Sequence, residues 1–216
     1  MRCMDLTHLI SREMPVYPGT EPPRLQPANT YERDGFQETL LTMYSHTGTH
    51  MDPPAHLFAG RTTLDQFPVE QFIGRALVIH CPELREGERV PSAVERVRPL
   101  ADQAEFLLFH TGWGRYWGTE RYFGDYPCID QGIVDYLLQS GKKGVGLDTI
   151  GVDPIADAYL SIHRRLFQDH DLVVMENLAN LDQIGDGLFT LFALPLRYQD
   201  ADGSPIRAVA VLDGEE

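Results

Sequence analysis

Glu105-Phe106-Leu107-Leu108-Phe109-His110 carries four apolar residues in a row with no polar alternation, and Arg75-Ala76-Leu77-Val78-Ile79-His80 repeats the pattern. A strand with one wet face alternates apolar and polar side chains, so unbroken runs this short predict strands covered on both faces. Outward from these, Thr39–Tyr44, Gly144–Leu147, Asp171–Glu176, Leu188–Ala193 and Arg207–Leu212 also read as strands. Helical spacing runs from Ile129 to Ser140, where Ile133, Tyr136 and Leu137 share a face and Gly141 follows as a stop. Val90–Val97 and Asp157–Phe167 are shorter helical candidates. Met14–Pro27 holds Pro15, Pro18, Pro22, Pro23 and Pro27, which cannot continue a helix and rarely occupy a central strand, so an extended surface-crossing loop is expected there. About seven strands and about three helices, not in strict alternation, predict a mixed α/β fold in one domain over residues 1–216.

Charge narrows the partners. The 216 residues include 18 Lys plus Arg against 32 Asp plus Glu, a formal charge of −14. Nucleic acid and anionic membrane surfaces are repelled by such a chain at long range, so neither is expected as a partner. No apolar run approaches the ~20 residues of a membrane span, and Met1-Arg2-Cys3-Met4-Asp5 has no secretory apolar core. The expectation is a cytoplasmic protein. Cys3, Cys81 and Cys128 lie far apart without a Cys-x-x-Cys pair, which predicts buried free thiols rather than disulfides or a thiolate zinc site.

The chemistry concentrates in Tyr44-Ser-His46-Thr-Gly48-Thr-His50-Met-Asp52-Pro-Pro-Ala-His56. Gly48 and the Pro53-Pro54 pair exclude a continuous helix, so the spacing belongs to extended or turning backbone. On a strand, positions 46, 50 and 52 point the same way. Four extended residues span about 13 Å, near the limit at which two imidazoles share one ion, whereas two residues span about 7 Å. A bend between His46 and His50 is therefore required, and Gly48 stands where a kink would supply it. Imidazoles with a carboxylate suit Zn²⁺, Fe²⁺ or Mn²⁺, and three protein ligands leave positions open for water or substrate. The string lacks the His-Glu-x-x-His helix of zinc proteases and a close His-x-His pair.

His46-Thr-Gly-Thr-His50-Met-Asp52-Pro-Pro-Ala-His56 resembles the His-x-Gly-Thr-His-x-Asp-x-x-x-His signature of the cyclase family of metal-dependent hydrolases, which includes bacterial kynurenine formamidases and isatin hydrolases. Asp5-Leu-Thr-His8 with Pro15-Val-Tyr-Pro-Gly19, Leu108–Trp113, Gly146–Pro154, His163-Arg-Arg-Leu166 and Glu176-Asn-Leu178 resemble further blocks of the family. Two departures stand out: Tyr17 occupies a position where kynurenine formamidases tend to carry Trp, and Pro53 replaces a more usual Ala. The resemblance implies a mixed, largely antiparallel β core of swivelling β/β/α type flanked by a few helices. It also implies that His46, His50 and Asp52 hold a first divalent ion, and that His163 and Glu176 join Asp52 around a second in dinuclear members. Zinc is the expected ion and manganese the alternative, one or two per subunit. His56 is implied as the catalytic acid/base.

The function so implied is hydrolysis of a C–N bond in a small amide, formamide or lactam by attack of metal-bound hydroxide, His56 passing a proton to the leaving nitrogen. Hydrolysis of N-formylkynurenine is the narrower alternative. A non-catalytic metal- or small-molecule-binding protein on the same scaffold is the alternative of another class, against which a free acid/base at His56 argues. The resemblance further implies a homo-oligomer, a dimer or dimer of dimers, and the apolar Met14, Val16, Tyr17 and Leu25 suit the proline-rich segment to lying across a neighbouring subunit. His80 and His110 read as strand-end histidines and His170 as a solvated turn. Asp148 and Asp153 suit turns, caps or a pocket wall. Trp113, Tyr116 and Trp117 suit either anchoring a loop or covering an aromatic substrate.

Overall fold

A computed structural model describes residues 1–90 and 93–212. Among these are twelve strands: β1 (Arg2–Asp5), β2 (Arg24–Asn29), β3 (Glu38–Thr42), β4 (His50–Asp52), β5 (Ile73–His80), β6 (Arg89–Val90), β7 (Phe106–His110), β8 (Cys128–Ile129), β9 (Gly144–Leu147), β10 (Val173–Glu176), β11 (Phe189–Pro195) and β12 (Ser204–Leu212). The α-helices are α1 (Tyr31–Asp34), α2 (Arg98–Ala101), α3 (Gln131–Gln139) and α4 (Ser161–Phe167). None is long and apolar enough to cross a membrane.

Eight strands form one sheet in the order β1-β12-β11-β5-β7-β9-β10-β4, and β4 also pairs with β12. That second pairing closes the sheet into a barrel and leaves β1 as an extra strand on the outside of the ring. The expected mixed α/β class holds. Within the barrel, β5-β7-β9-β10 run parallel, while β12, β11, β5 and the β10-β4-β12 closure pair antiparallel.

The unbroken apolar runs now have their reason. Alternate residues of a strand face opposite sides, and here both sides are cores. Ala76, Val78, Phe106, Leu108, Val173 and Met175 pack with Met51, Leu191 and Ala208 in one cluster, drawn from strands around the whole ring. Leu77, Ile79, Leu107, Phe109, Val145 and Val174 belong to the other, which is roofed by Ile133, Val134 and Leu137 of α3 and Ile162, Leu166 and Phe167 of α4. On β9 the positions that alternate with Val145 are glycines because there is no room for more. A methyl group at Gly146 would lie 2.6 Å from Leu178 Cδ1 and 2.8 Å from Leu108 Cδ2.

Several local expectations are corrected. Met14–Pro27 is not loop throughout: from Arg24 it becomes β2, paired antiparallel with β3 in a two-stranded ribbon separate from the barrel. A register shift between Pro27 and Asn29 accommodates the proline, which has no N–H to give a ladder. Val90–Val97 begins as a strand and ends as a 3₁₀ turn over Ala93–Val97, with residues 91–92 outside those described. In Asp157–Phe167 only Ser161 onward is helical, because Leu160 adopts left-handed φ of 55°. Of the cysteines only Cys128 is buried, Cys81 being partly buried and Cys3 exposed.

Candidate active site

Gly48 makes the bend that the histidine spacing requires. It adopts φ of +66°, and a side chain there would also press on Met14 Cε at 3.2 Å. The chain then enters β4, where Met51 points into the barrel core and His50 and Asp52, by alternation, point outward. Antiparallel pairing sets Glu176 directly opposite His50, so a carboxylate and an imidazole share one face of the sheet edge. From α4, His163 approaches the same face. Pro53, Pro54 and the 3₁₀ turn Pro54–His56 then carry His56 back over it.

Five of the six expected side chains, His46, His50, Asp52, His163 and Glu176, meet around Asp52. Asp52 Oδ1 lies 2.7 Å from His46 Nδ1 and 3.4 Å from His50 Nε2, and its Oδ2 lies 3.5 Å from His163 Nε2. Glu176 Oε2 lies 3.3 Å from His50 Nε2 and Oε1 3.2 Å from His163 Nε2. His56 is the sixth, its ring centroid 4.1 Å from that of His46 and 6.2 Å from that of His163. His50, Asp52, His163 and Glu176 are all buried, at 5% exposure or less.

Two of the imidazoles are oriented from behind. His50 Nδ1 bonds Gly48 O at 2.8 Å and His163 Nδ1 bonds Asp153 Oδ2 at 2.6 Å, which turns both Nε2 atoms toward the two carboxylates. Asn177, in left-handed φ of 57°, donates to Gly48 O and accepts from Tyr122 Oη, tying the Gly48 bend to the end of β10. His163 Nε2, His46 Nε2 and Glu176 Oε1 are buried with no hydrogen-bond partner of standard geometry. Two buried carboxylates in such company demand positive charge. Burial opposes protonation of His50, yet Asp52 and Glu176 push its pKa up to about 9. Against the same cost of burial, Asp153, Asp52 and Glu176 raise His163 well above its ordinary value, and Asp52 raises His46. Burial would raise Asp52, but His46, His50 and His163 hold it well below the usual carboxylate range. His56 differs: burial lowers it, and although Asp52 and Glu176 oppose that, His46 and His163 add to it.

This donor set fits a divalent cation. His50, Asp52 and Glu176, and separately His46, Asp52 and His56, each offer atoms within 4.8 Å of one another, with Asp52 common to both groups. The residues open onto a cavity of about 400 Å³, within the range of small-molecule sites. Its outer wall includes Tyr17, Tyr44, Tyr126, Ile150, Leu160 and Asp202.

A family model described as "Putative cyclase" matches residues 4–154, more than half of the chain. The chain belongs to the cyclase family. It is 32% identical over 210 residues to kynurenine formamidase of Bacillus thuringiensis strain Al Hakam, covering 95% of each chain. It is likewise 32% identical over 222 residues to kynurenine formamidase of Bordetella avium strain 197N, covering 96% of this chain and 97% of the relative. Its fold is that of isatin hydrolase A from Labrenzia aggregata, solved bound to benzyl benzoate, with a TM-score of 0.84 at 23% identity over 97% of this chain and 93% of that one.

Other expectations for this cyclase-family chain resolve differently. Trp113 is buried and donates from Nε1 to Tyr122 O, and Trp117 stacks on His8 at 3.9 Å between centroids. Neither these two nor Tyr116 is among the lining of the cavity, so they anchor the loop rather than cover a ligand. Asp148 accepts from Thr111 N, Thr111 Oγ1 and Gly112 N, pinning that same loop from inside. His80 and His110 face each other across parallel strands at 3.0 Å between Nδ1 atoms, and His170 is exposed. Asp153 both caps α4 and orients His163, a double role that the sequence suggested only as a cap or pocket wall. The sequence carries no signal for Tyr126 or Asp202, and Asn177 enters only inside the Glu176-Asn-Leu178 block. Asn177 follows Glu176 directly and was within reach of the motif, whereas Tyr126 and Asp202 sit in turn-like sequence with no spacing to connect them to the histidines.

Proposed function

We propose that this protein is a metal-dependent hydrolase of non-peptide amide bonds, acting on a small aryl formamide, anilide or lactam. The observation that carries the reading is the junction of three imidazoles and two carboxylates on the floor of a cavity, with His56 beside them in the turn that follows β4. His46, His50 and Asp52 are the residues assigned to one ion, and His163 and Glu176 with Asp52 to a second. Zn²⁺ is the ion we assign, with Mn²⁺ as the alternative, since both accept imidazole and carboxylate. Such an ion, when bound, lowers the pKa of water and polarises a carbonyl oxygen.

The remaining work falls to side chains. Hydrolysis adds water across the C–N bond, so one proton must leave the attacking water and one must reach the departing nitrogen. His56, whose pKa burial lowers and which sits in the 3₁₀ turn beside the cluster, is assigned both transfers. Tyr17, Tyr44, Tyr126, Ile150 and Leu160 present a largely apolar wall suited to a planar aromatic group. The curated relatives named for kynurenine formamidase support N-formylkynurenine as the narrower substrate.

We further assign a two-fold homodimer. Every residue of β3 is exposed, and the ribbon and its turn present Tyr31, Phe36, Leu40 and Leu41 at 66%, 52%, 54% and 54% exposure. An isolated two-stranded ribbon is marginal in water, so this one needs a cover, and a second copy supplies it with Tyr44 of the same arm at the cavity mouth.

The test is turnover of a panel of aryl formamides and lactams by metal-replete protein, before and after chelation. Hydrolysis that chelation abolishes and added ion restores is the expected result. Full ion content with no turnover of any member would instead favour a binding protein on this scaffold.

A further inference from the structure

Asp202 lies on the far side of His46 from Asp52, at ion-pair distance rather than in a hydrogen bond, although no motif links it to the site. His46 is held between two carboxylates. Its Nδ1 lies 2.7 Å from Asp52 Oδ1, and its Nε2 lies 3.4 Å from Asp202 Oδ2. Asp202 is not a free surface acid that drifted near a histidine. Its Oδ2 accepts from Ser45 Oγ at 3.2 Å and its Oδ1 from Tyr198 Oη at 3.2 Å, and the same Tyr198 hydroxyl bonds Gly203 O.

The loop that carries it, between β11 and β12, is anchored at several points. Leu196 N donates to Ser204 Oγ at 2.9 Å, Ala201 N to Asp65 Oδ1 at 3.1 Å, and Leu64 N to Ala201 O at 3.0 Å. Ala201 is fully buried. Gly203 then lies flat against the His46 ring: a methyl group there would stand 2.6 Å from Nε2 and 2.9 Å from Nδ1. Ring and loop are therefore fitted to each other, with glycine required at the contact.

We propose that Asp202 is a positioning residue for His46: its carboxylate, 3.4 Å from Nε2, draws that edge of the ring toward the loop by charge and, with Gly203 under the ring, fixes the imidazole so that Nδ1 faces the ion site. This rests on the assignment of His46 as a ligand. Carboxylates behind ligating histidines set the tautomer and orientation of the ring and raise its basicity, and their loss costs about 10- to 100-fold in metal affinity. The Asp202 side chain is 54% exposed, and water competes for exposed charge pairs, so the low end of that range is expected.

The experiment strips the protein with a chelator and titrates Zn²⁺ back in competition with a chromogenic chelator, and separately records the absorption of the Co²⁺-loaded protein. D202N is expected to bind Zn²⁺ about tenfold more weakly and to alter the Co²⁺ bands, with D202E recovering most of the affinity. Tyr198→Phe, which frees one oxygen of Asp202 without removing charge, is expected to give a smaller loss in the same direction, and serves if D202N does not fold. Affinity within twofold of the parent in D202N, with unchanged Co²⁺ bands, overturns the proposal. His50→Ala is the control for the site itself: if it retains all the ion, or the parent takes up none, the metal assignment fails first and this inference fails with it.

Discussion

His163 donates from Nδ1 to Asp153 Oδ2 at 2.6 Å, and the same carboxylate accepts the backbone N–H of Ile162 at 2.5 Å and of His163 at 3.1 Å. One side chain thus starts α4 and aims the imidazole that α4 carries. Asp153→Ala should remove both contributions. Loss of a helix cap costs about 1 kcal/mol, and loss of the ring's partner should weaken ion binding by about 10- to 100-fold. Thermal unfolding of the metal-free protein reads the first effect and chelator competition the second. A drop in stability with unchanged ion affinity would reduce Asp153 to a cap.

Asp52 touches His46, His50 and His163 and is common to both donor groups, whereas His50 belongs to one. Asp52→Ala should therefore lower bound metal more than His50→Ala does. Metal analysis after exhaustive dialysis checks the order, and full occupancy in both variants would remove the site.

His56→Ala should keep much of its ion and lose about 10²- to 10⁴-fold in turnover, the usual worth of a positioned proton-transfer group. His56 also lies within ligand distance of His46 and Asp52, so metal content must be measured with the rate. A variant that loses its metal outright would make His56 a ligand instead.

His8 gives a pH prediction away from the ligands. Burial lowers its pKa to about 4, and its ring stacks on Trp117 at an interplanar angle of 7°. A base whose folded pKa is depressed stabilises the fold fully above its unfolded pKa, ordinarily near 6.5, and that stability is lost as pH falls toward the folded value. Stability should therefore decline from about pH 6.5 toward pH 4 in part through His8. His8→Phe keeps a ring for Trp117 and cannot titrate, so its melting temperature should fall less over that interval. Parallel curves for parent and variant would clear His8 of the effect.

The dimer is best tested away from the N-terminus, because β1 pairs with β12 and Leu6 is fully buried. The double substitution Phe36→Asp and Leu41→Asp leaves the barrel untouched and charges the exposed ribbon. Sedimentation should show assembled parent and monomeric variant. A parent that sediments as a monomer at micromolar concentration with full activity ends the proposal.

Read alone, the sequence determined the class of fold and the centre of its chemistry. Unbroken apolar runs at 76–79 and 106–109 required strands covered on both sides, and Gly48 between His46 and His50 required a bend, because both depend only on local periodicity and backbone geometry. Closure of the sheet was not legible: it is made by β4, three residues long, whose pairing with β10 and β12 is non-local and leaves no periodic trace. The ribbon was half legible, since β3 alternates too little to show that it stands off the barrel. The candidate ligands inside one eleven-residue string could be picked out from spacing, but His163 and Glu176, more than 100 positions away in the chain, became candidates only through the family resemblance. Asp153 and Asp202 became partners of histidines only through tertiary contact. A carboxylate in a turn looks the same in sequence whether it faces water or an imidazole, and only the packing of α4 and of the β11–β12 loop decides which.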